Sequence, residues 1–153
     1  MNLNYQGQEH IPVSKATVWA FINDPDKIAH CMPDLLESTV HDPQHFDAVV
    51  QVGLGPVRGK FKFKIALDPQ ADGSRMNMKI SGGGLGSVVD LTATALVTEG
   101  ADGSTTLDWT GAASMRGPIA AVGGRVVDAQ AQRVIGETFA NVKTTLTATA
   151  GAA

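Results

Sequence analysis

Between Gly117 and Thr147 the sequence keeps a sustained helical period, and nearly everything before it alternates as strands do. Ile119, Val122, Val126, Val127, Val134, Ile135, Phe139, Val142 and Leu146 recur at steps of three, four and seven, which sets them along one broad stripe of an α-helix. Asp128, Gln132, Arg133, Glu137 and Lys143 fill much of the other side. Pro118 suits the first helical position, where its missing N–H is not needed. Unbroken, such a helix has about 30 residues and is roughly 45 Å long. Gly123, Gly124 and Gly136 each cost about 1 kcal/mol relative to alanine, so a close approach or a bend is expected there. A helix of this length with an apolar stripe needs a large apolar surface beneath it, and the preceding residues must build it.

Those residues read as strands. Leu3, Tyr5, Gly7, Glu9 and Ile11 alternate with polar partners in a first strand that Pro12 ends. Ser14 is a good N-cap for a short helix over 15–22, and Asp24-Pro25 starts a second that Pro33 closes. From Asp34 the period is two. The spacing predicts strands over 35–41, 46–54, 60–67, 75–80, 88–98 and 105–115. The clearest is Lys60 to Leu67, where lysines face water and Phe61, Phe63, Ile65 and Leu67 face in. Residues 53–59 and 82–86 read as glycine-rich connections. The element order predicts one α+β domain over 1–153: a seven-stranded antiparallel curved sheet wrapped around a long C-terminal helix, with two short helices after the first strand.

Composition narrows the function classes. A net charge of −3 gives no basic footprint, so no nucleic-acid partner is expected. No apolar run approaches the ~20 residues of a membrane span. The N-terminus lacks the basic start and apolar core of a secretory signal, and the expected location is cytoplasmic, with a peripheral position on the inner face of the cell membrane also open. Aromatics are only 5% and glycines number 17, so a curved sheet of small side chains is expected to leave space that ligand fills.

Each chemical motif has a plain structural reading. Gly82-Gly83-Gly84 precedes a strand, not a helix, so a hairpin or bulge fits better than a phosphate cradle. His10, His30, His41 and His45 lack ligand spacing, and no metal site is expected. Cys31 has no evident base and reads as a buried or half-buried thiol. Asp90 and Asp108 fall with threonines on the outer faces of their strands. Glu9 and Glu37 are the inward candidates for acid–base chemistry.

The motifs together resemble one family. Val18-Trp19 with Asp24-Pro25, Cys31-Met32-Pro33, Val52-Gly53, Gly55-Pro56-Val57-Arg58-Gly59-Lys60-Phe61, Gly86, and Gly117-Pro118-Ile119-Ala120 with Val122-Gly123-Gly124-Arg125 are similar to the family of carbon monoxide dehydrogenase G subunits. That family lies within the helix-grip fold of START-like lipid-transfer domains and the major birch-pollen allergen. Asp34 departs from the pattern, which commonly has glycine after the proline. The resemblance implies an apolar ligand, quinone- or lipid-like, and association with a molybdenum hydroxylase. Relatives occur without that enzyme.

The site follows as an expectation. Phe61, Phe63, Met76, Met78, Leu91, Trp109, Met115, Val122, Val126 and Ile135 are expected to line a cavity, methionine's flexible thioether suiting varied ligands. In a meander alternate turns share an end. Met32, Leu54, Val57, Arg58, Leu85 and Arg116 therefore gather as an apolar, arginine-rimmed mouth, or as a plug of the sheet's end. No cofactor and no catalytic residue are expected. The leading reading is a non-catalytic carrier of an apolar ligand serving a redox enzyme. A cyclase- or dehydratase-like enzyme using the same cavity, and a pure interaction subunit, stay open beside it.

Overall fold

A computed structural model describes residues 1–152, with side chains as far as residue 148. Strand β1 (Asn2–Ile11) is followed by helices α1 (Lys15–Ile22) and α2 (Pro25–Cys31). Six strands come next: β2 (Leu35–Asp42), β3 (His45–Leu54), β4 (Val57–Pro69), β5 (Arg75–Gly84), β6 (Ser87–Glu99) and β7 (Thr105–Arg116). Helices α3 (Pro118–Ala121) and α4 (Gly124–Ala152) are last.

Local chemistry sets the boundaries. Ser14 Oγ accepts the Thr17 N–H at 3.3 Å, and Asp24 Oδ1 accepts the N–H groups of Asp26 and Lys27 at 3.1 and 3.3 Å, so each short helix has its orphan donors capped. Pro25 holds the first position of α2. The strands form one antiparallel sheet in the order β1-β7-β6-β5-β4-β3-β2. β1 and β2 are therefore opposite edges, and the α1–α2 segment carries the chain from one edge to the other. Alternation holds along the sheet: on β4, Phe61, Ile65 and Leu67 are buried while Lys60, Lys62 and Lys64 are exposed.

One sequence expectation needs correction. The connections at 53–59 and 82–86 are much shorter than their glycine content suggests, because the ladders run on to Leu54–Val57 and Gly84–Ser87. Gly82 pairs Phe63 on one side and Val89 on the other, so it belongs to the strand. The long helix is present as α4, and the bend expected at the glycines falls at Gly123, between α3 and α4. Gly123 has φ +110°, a value that side chains rarely adopt, and no atom lies within 4 Å of where its Cβ would stand. Backbone conformation, not crowding, divides α3 from α4.

Apolar side chains between sheet and helices collect into two cores rather than one. The first lies beside the polar turns and joins Ile11, Val18, Phe21, Phe46, Leu67, Met76, Val97 and Leu107 to Val142 and Leu146 of α4. The second lies at the glycine hairpins and joins Val50, Leu54, Val57, Phe61 and Val89 to Ile119 of α3. What separates them positions the site.

Candidate functional site

Between the two cores the inward face of the sheet is built from small residues. Across β1 and β7 large side chains alternate with glycine: Tyr5 stands opposite Gly111, and Gly7 opposite Trp109. Each large ring thus has a neighbour with no side chain to lean over. A Cβ at Gly7 would lie only 2.7 Å from the Trp109 ring, so the indole rests directly on that glycine. Beyond Gly111 the next inward residues are Ala93 on β6 and Met78 on β5.

Leu91, Val134 and Ile135 face this region, are half-buried, and pack into neither core. Met78, Ile80, Trp109 and Phe139 are half-buried against the first core, and Met115 and Val122 against the second. Phe63 and Met32 touch both. Leu91 and Met78 are half-buried although their strands lie far from either sheet edge. Protein interiors are close-packed, so apolar side chains left partly uncovered forgo contacts that other atoms would make. Two surface hollows, of about 360 and 420 Å³, lie elsewhere, over the outer face of the sheet at Asn4, Gln6, Thr92, Thr94 and Thr110, and at Asp47, Val49, Lys62 and Lys64.

Polar ties hold α4 on both sides. On the β1 side Tyr5 Oη donates to Asp128 Oδ1 at 2.6 Å, and Lys143 Nζ meets Glu9 Oε1 at 2.8 Å. On the other side Arg133, paired along the helix with Glu137 at 2.8 Å, donates to Asp34 at 2.8 Å, and Asn141 Nδ2 donates to the Cys31 carbonyl at 3.0 Å. Asp34 has φ +61°, which explains why glycine suits that position, and here its side chain receives Arg133. Desolvation, with the bond to Asp128 added, pushes the Tyr5 phenol up to about 12. Burial likewise pushes the Cys31 thiol up, against a smaller opposing bond from Thr145. Trp109 Nε1 is closed off from water and has no hydrogen-bond partner among the described residues.

The residues expected to line the site divide by place. Leu91 and Ile135 are half-buried outside both cores, and Phe63, Met78, Trp109, Met115 and Val122 are half-buried against one core or both. Phe61 and Met76 are buried inside the two cores. Val126 is 44% exposed, whereas the neighbouring Val127 is buried. At the expected mouth, Leu54 and Val57 are only 6% and 4% exposed. They plug the sheet's end against Ile119 and present nothing to solvent. Leu85 is the apolar residue that does, at 53% exposed and with φ +53°. Its side chain lies over Gly59. Arg58, Lys60, Arg116 and Arg125 are exposed at this end and make no ion pair among the described residues. The turns at the opposite end carry exposed Asp42, Asp72 and Asp102.

Sequence reasoning does not single out Tyr5 and Asp128 as a pair. Tyr5 sits in a weakly patterned strand and Asp128 on the polar side of the helical stripe, and only the packing of α4 along β1 joins them. The inward parity of Tyr5 and its facing Gly111 are the available signals.

Comparison with solved structures places this architecture among helix-grip folds. A conserved protein from Geobacillus kaustophilus superposes with TM-score 0.85 at 22% identity, covering 95% of each chain. A START superfamily protein from Mycobacterium smegmatis gives TM-score 0.72 at 12% identity, over 94% of this chain and 96% of that one. Ara h 8.0201 gives 0.66 at 13%, over 97% and 99%. No curated protein matches the sequence. The family model for the carbon monoxide dehydrogenase G subunit (CoxG) matches residues 7–147, and the chain therefore belongs to the CoxG family.

Proposed function

We propose that this protein binds and shuttles an apolar ligand, quinone- or lipid-like, in the gap between its two cores, as an accessory to a molybdenum hydroxylase of the carbon monoxide dehydrogenase type. The observation that carries the reading is the unpacked wall of Leu91, Val134 and Ile135 between two sealed clusters. Family membership supports the partner. The acid–base alternative needs Glu9 or Glu37 at the ligand, and neither is free there: Glu9 is engaged by Lys143, and Glu37 is exposed at the rim of an outer-face hollow. Native mass spectrometry of the purified protein, with solvent extraction of what it carries, tests the reading. A bound apolar species, or uptake of quinone analogues at one per chain, is expected. An empty protein that takes up none would end it.

A long apolar tail resides in a bilayer, so the ligand is expected to pass through the end where Leu85 and Val126 are exposed among Arg58, Lys60, Arg116 and Arg125. No helix is long and apolar enough to cross a membrane among the described residues, so contact there would be peripheral. Each arginine near anionic headgroups contributes about 1 kcal/mol. Leu85→Asp is expected to abolish co-sedimentation with anionic liposomes at low salt while leaving the fold intact, since the side chain stands in solvent. Wild-type protein that ignores such liposomes would remove the docking step and leave the ligand gap.

A further inference from the structure

On the β1 flank of α4, at the edge of the proposed ligand space, stands a polar pair whose hydrogen-bond character is fixed by its geometry. Tyr5 rises from β1 over the bare Gly111 and reaches α4, where its hydroxyl proton goes to Asp128 Oδ1 at 2.6 Å. Asp128 Oδ2 accepts the Gln132 side-chain N–H at 2.9 Å, which orients the carboxylate. A phenol has one proton and two lone pairs. With the proton given to Asp128, what remains to the gap is acceptor only: the phenol oxygen, backed by a carboxylate. Trp109 Nε1–H, the nearby donor on the same face, is closed off from water.

Resting on the carrier reading above, we propose that Tyr5, with its proton held by Asp128, selects apolar ligands whose polar end carries a hydrogen-bond donor, a hydroxyl above all. A ligand whose polar atoms only accept, such as a carbonyl or an ether, meets lone pair against lone pair at Tyr5 and leaves its own acceptor unpaired. Phenols, long-chain alcohols and the hydroquinone form of a quinone share the favoured chemistry; the oxidised quinone lacks it. Asp128 makes the preference directional: while it holds the proton, Tyr5 cannot turn and donate.

Matched probes separate the donor from everything else: a 4-alkylphenol against its methyl ether, and a long-chain alkanol against its methyl ether, by competitive displacement of a fluorescent fatty probe. Wild type is expected to favour the hydroxyl member of each pair on the order of tenfold, the effect of one unmade hydrogen bond. Preference confined to the phenol pair would assign the selection to an aromatic hydroxyl; preference in both pairs assigns it to the hydroxyl alone. Tyr5→Phe keeps the ring and is expected to erase the ratio by weakening only the hydroxyl ligands. Asp128→Ala keeps Tyr5 but frees its proton, and is expected to shift the preference toward the ether, which a merely structural role of the pair would not do. Equal binding of both members to wild type, or an unchanged ratio in both variants, overturns the proposal while the carrier reading stands. Failure of every probe to bind overturns both.

Discussion

The two halves of α4 are tied by polar contacts alike but differ in how much apolar surface they bury. In the C-terminal half Val142 and Leu146 are buried in the first core, with Phe139 stacked on Trp109 at 5.3 Å between ring centroids. In the N-terminal half Val127 is fully buried, Val134 and Ile135 are half-buried in neither core, Val126 faces water, and Tyr5–Asp128 and Arg133–Asp34 add polar contacts to the rest of the chain. Dispersion and burial seal the one half because they need closely packed atoms. Hydrogen bonds and ion pairs add to the other half without needing the layers to touch closely. On the proposed reading, a helix tied at its flanks and less covered at its centre would leave room for a ligand while the domain stays folded.

The sharpest way to break the comparison is to truncate one side chain in each half. Leu146→Ala is expected to lower the unfolding free energy by about 2–5 kcal/mol in chemical denaturation, the range for buried leucines. Ile135→Ala is expected to change it by less than about 1 kcal/mol, since few contacts are lost, but to weaken ligand uptake. Equal losses at both sites would mean that the helix is packed uniformly.

The next effect is electrostatic and can be read from one chromophore, because Tyr5 is the chain's single tyrosine. Its folded pKa of about 12 lies above the ordinary 10.0, so the stabilisation it gives is fully present below pH 10 and is lost as pH rises through about 12. Phenolate absorbance is expected to follow that higher value in the folded protein and to move back toward 10 in Asp128→Ala. The shift will not vanish, since desolvation is its larger cause. The smallest effect belongs to Arg133→Ala: its partners are exposed carboxylates, so about 0–1 kcal/mol of stability is expected to go, and less at high salt.

Much of this is legible in the sequence. The Lys-Phe alternation from Lys60 to Leu67, the caps Ser14 and Asp24, and Pro118 at a helix start each carry their physics locally, and strand order follows from a meander of short turns. The corrections come where tertiary context decides. Gly82 looks like a loop residue in isolation but is paired on both sides. Val126 and Val127 are equally apolar, and the register in which α4 buries Val142 and Leu146 turns Val127 inward and leaves Val126 exposed. Leu54 and Val57 have the hydropathy of an exposed lip and the burial of a plug, because Ile119 folds over them. Tyr5 and Asp128 are 123 residues apart, and no local pattern announces a pair at that separation.

The central claim is that the space under the middle of α4 is open to a ligand and not filled by the protein. Unfolding of Ile135→Trp by denaturant, run beside uptake of an apolar probe, addresses it directly. If the gap is open, the larger side chain enters it: stability is expected to stay within about 1 kcal/mol of wild type or to rise, while probe uptake is lost, because the site is then occupied from within. If the region is already packed, the same substitution overpacks it and destabilises by about 1–3 kcal/mol. That loss would contradict the account.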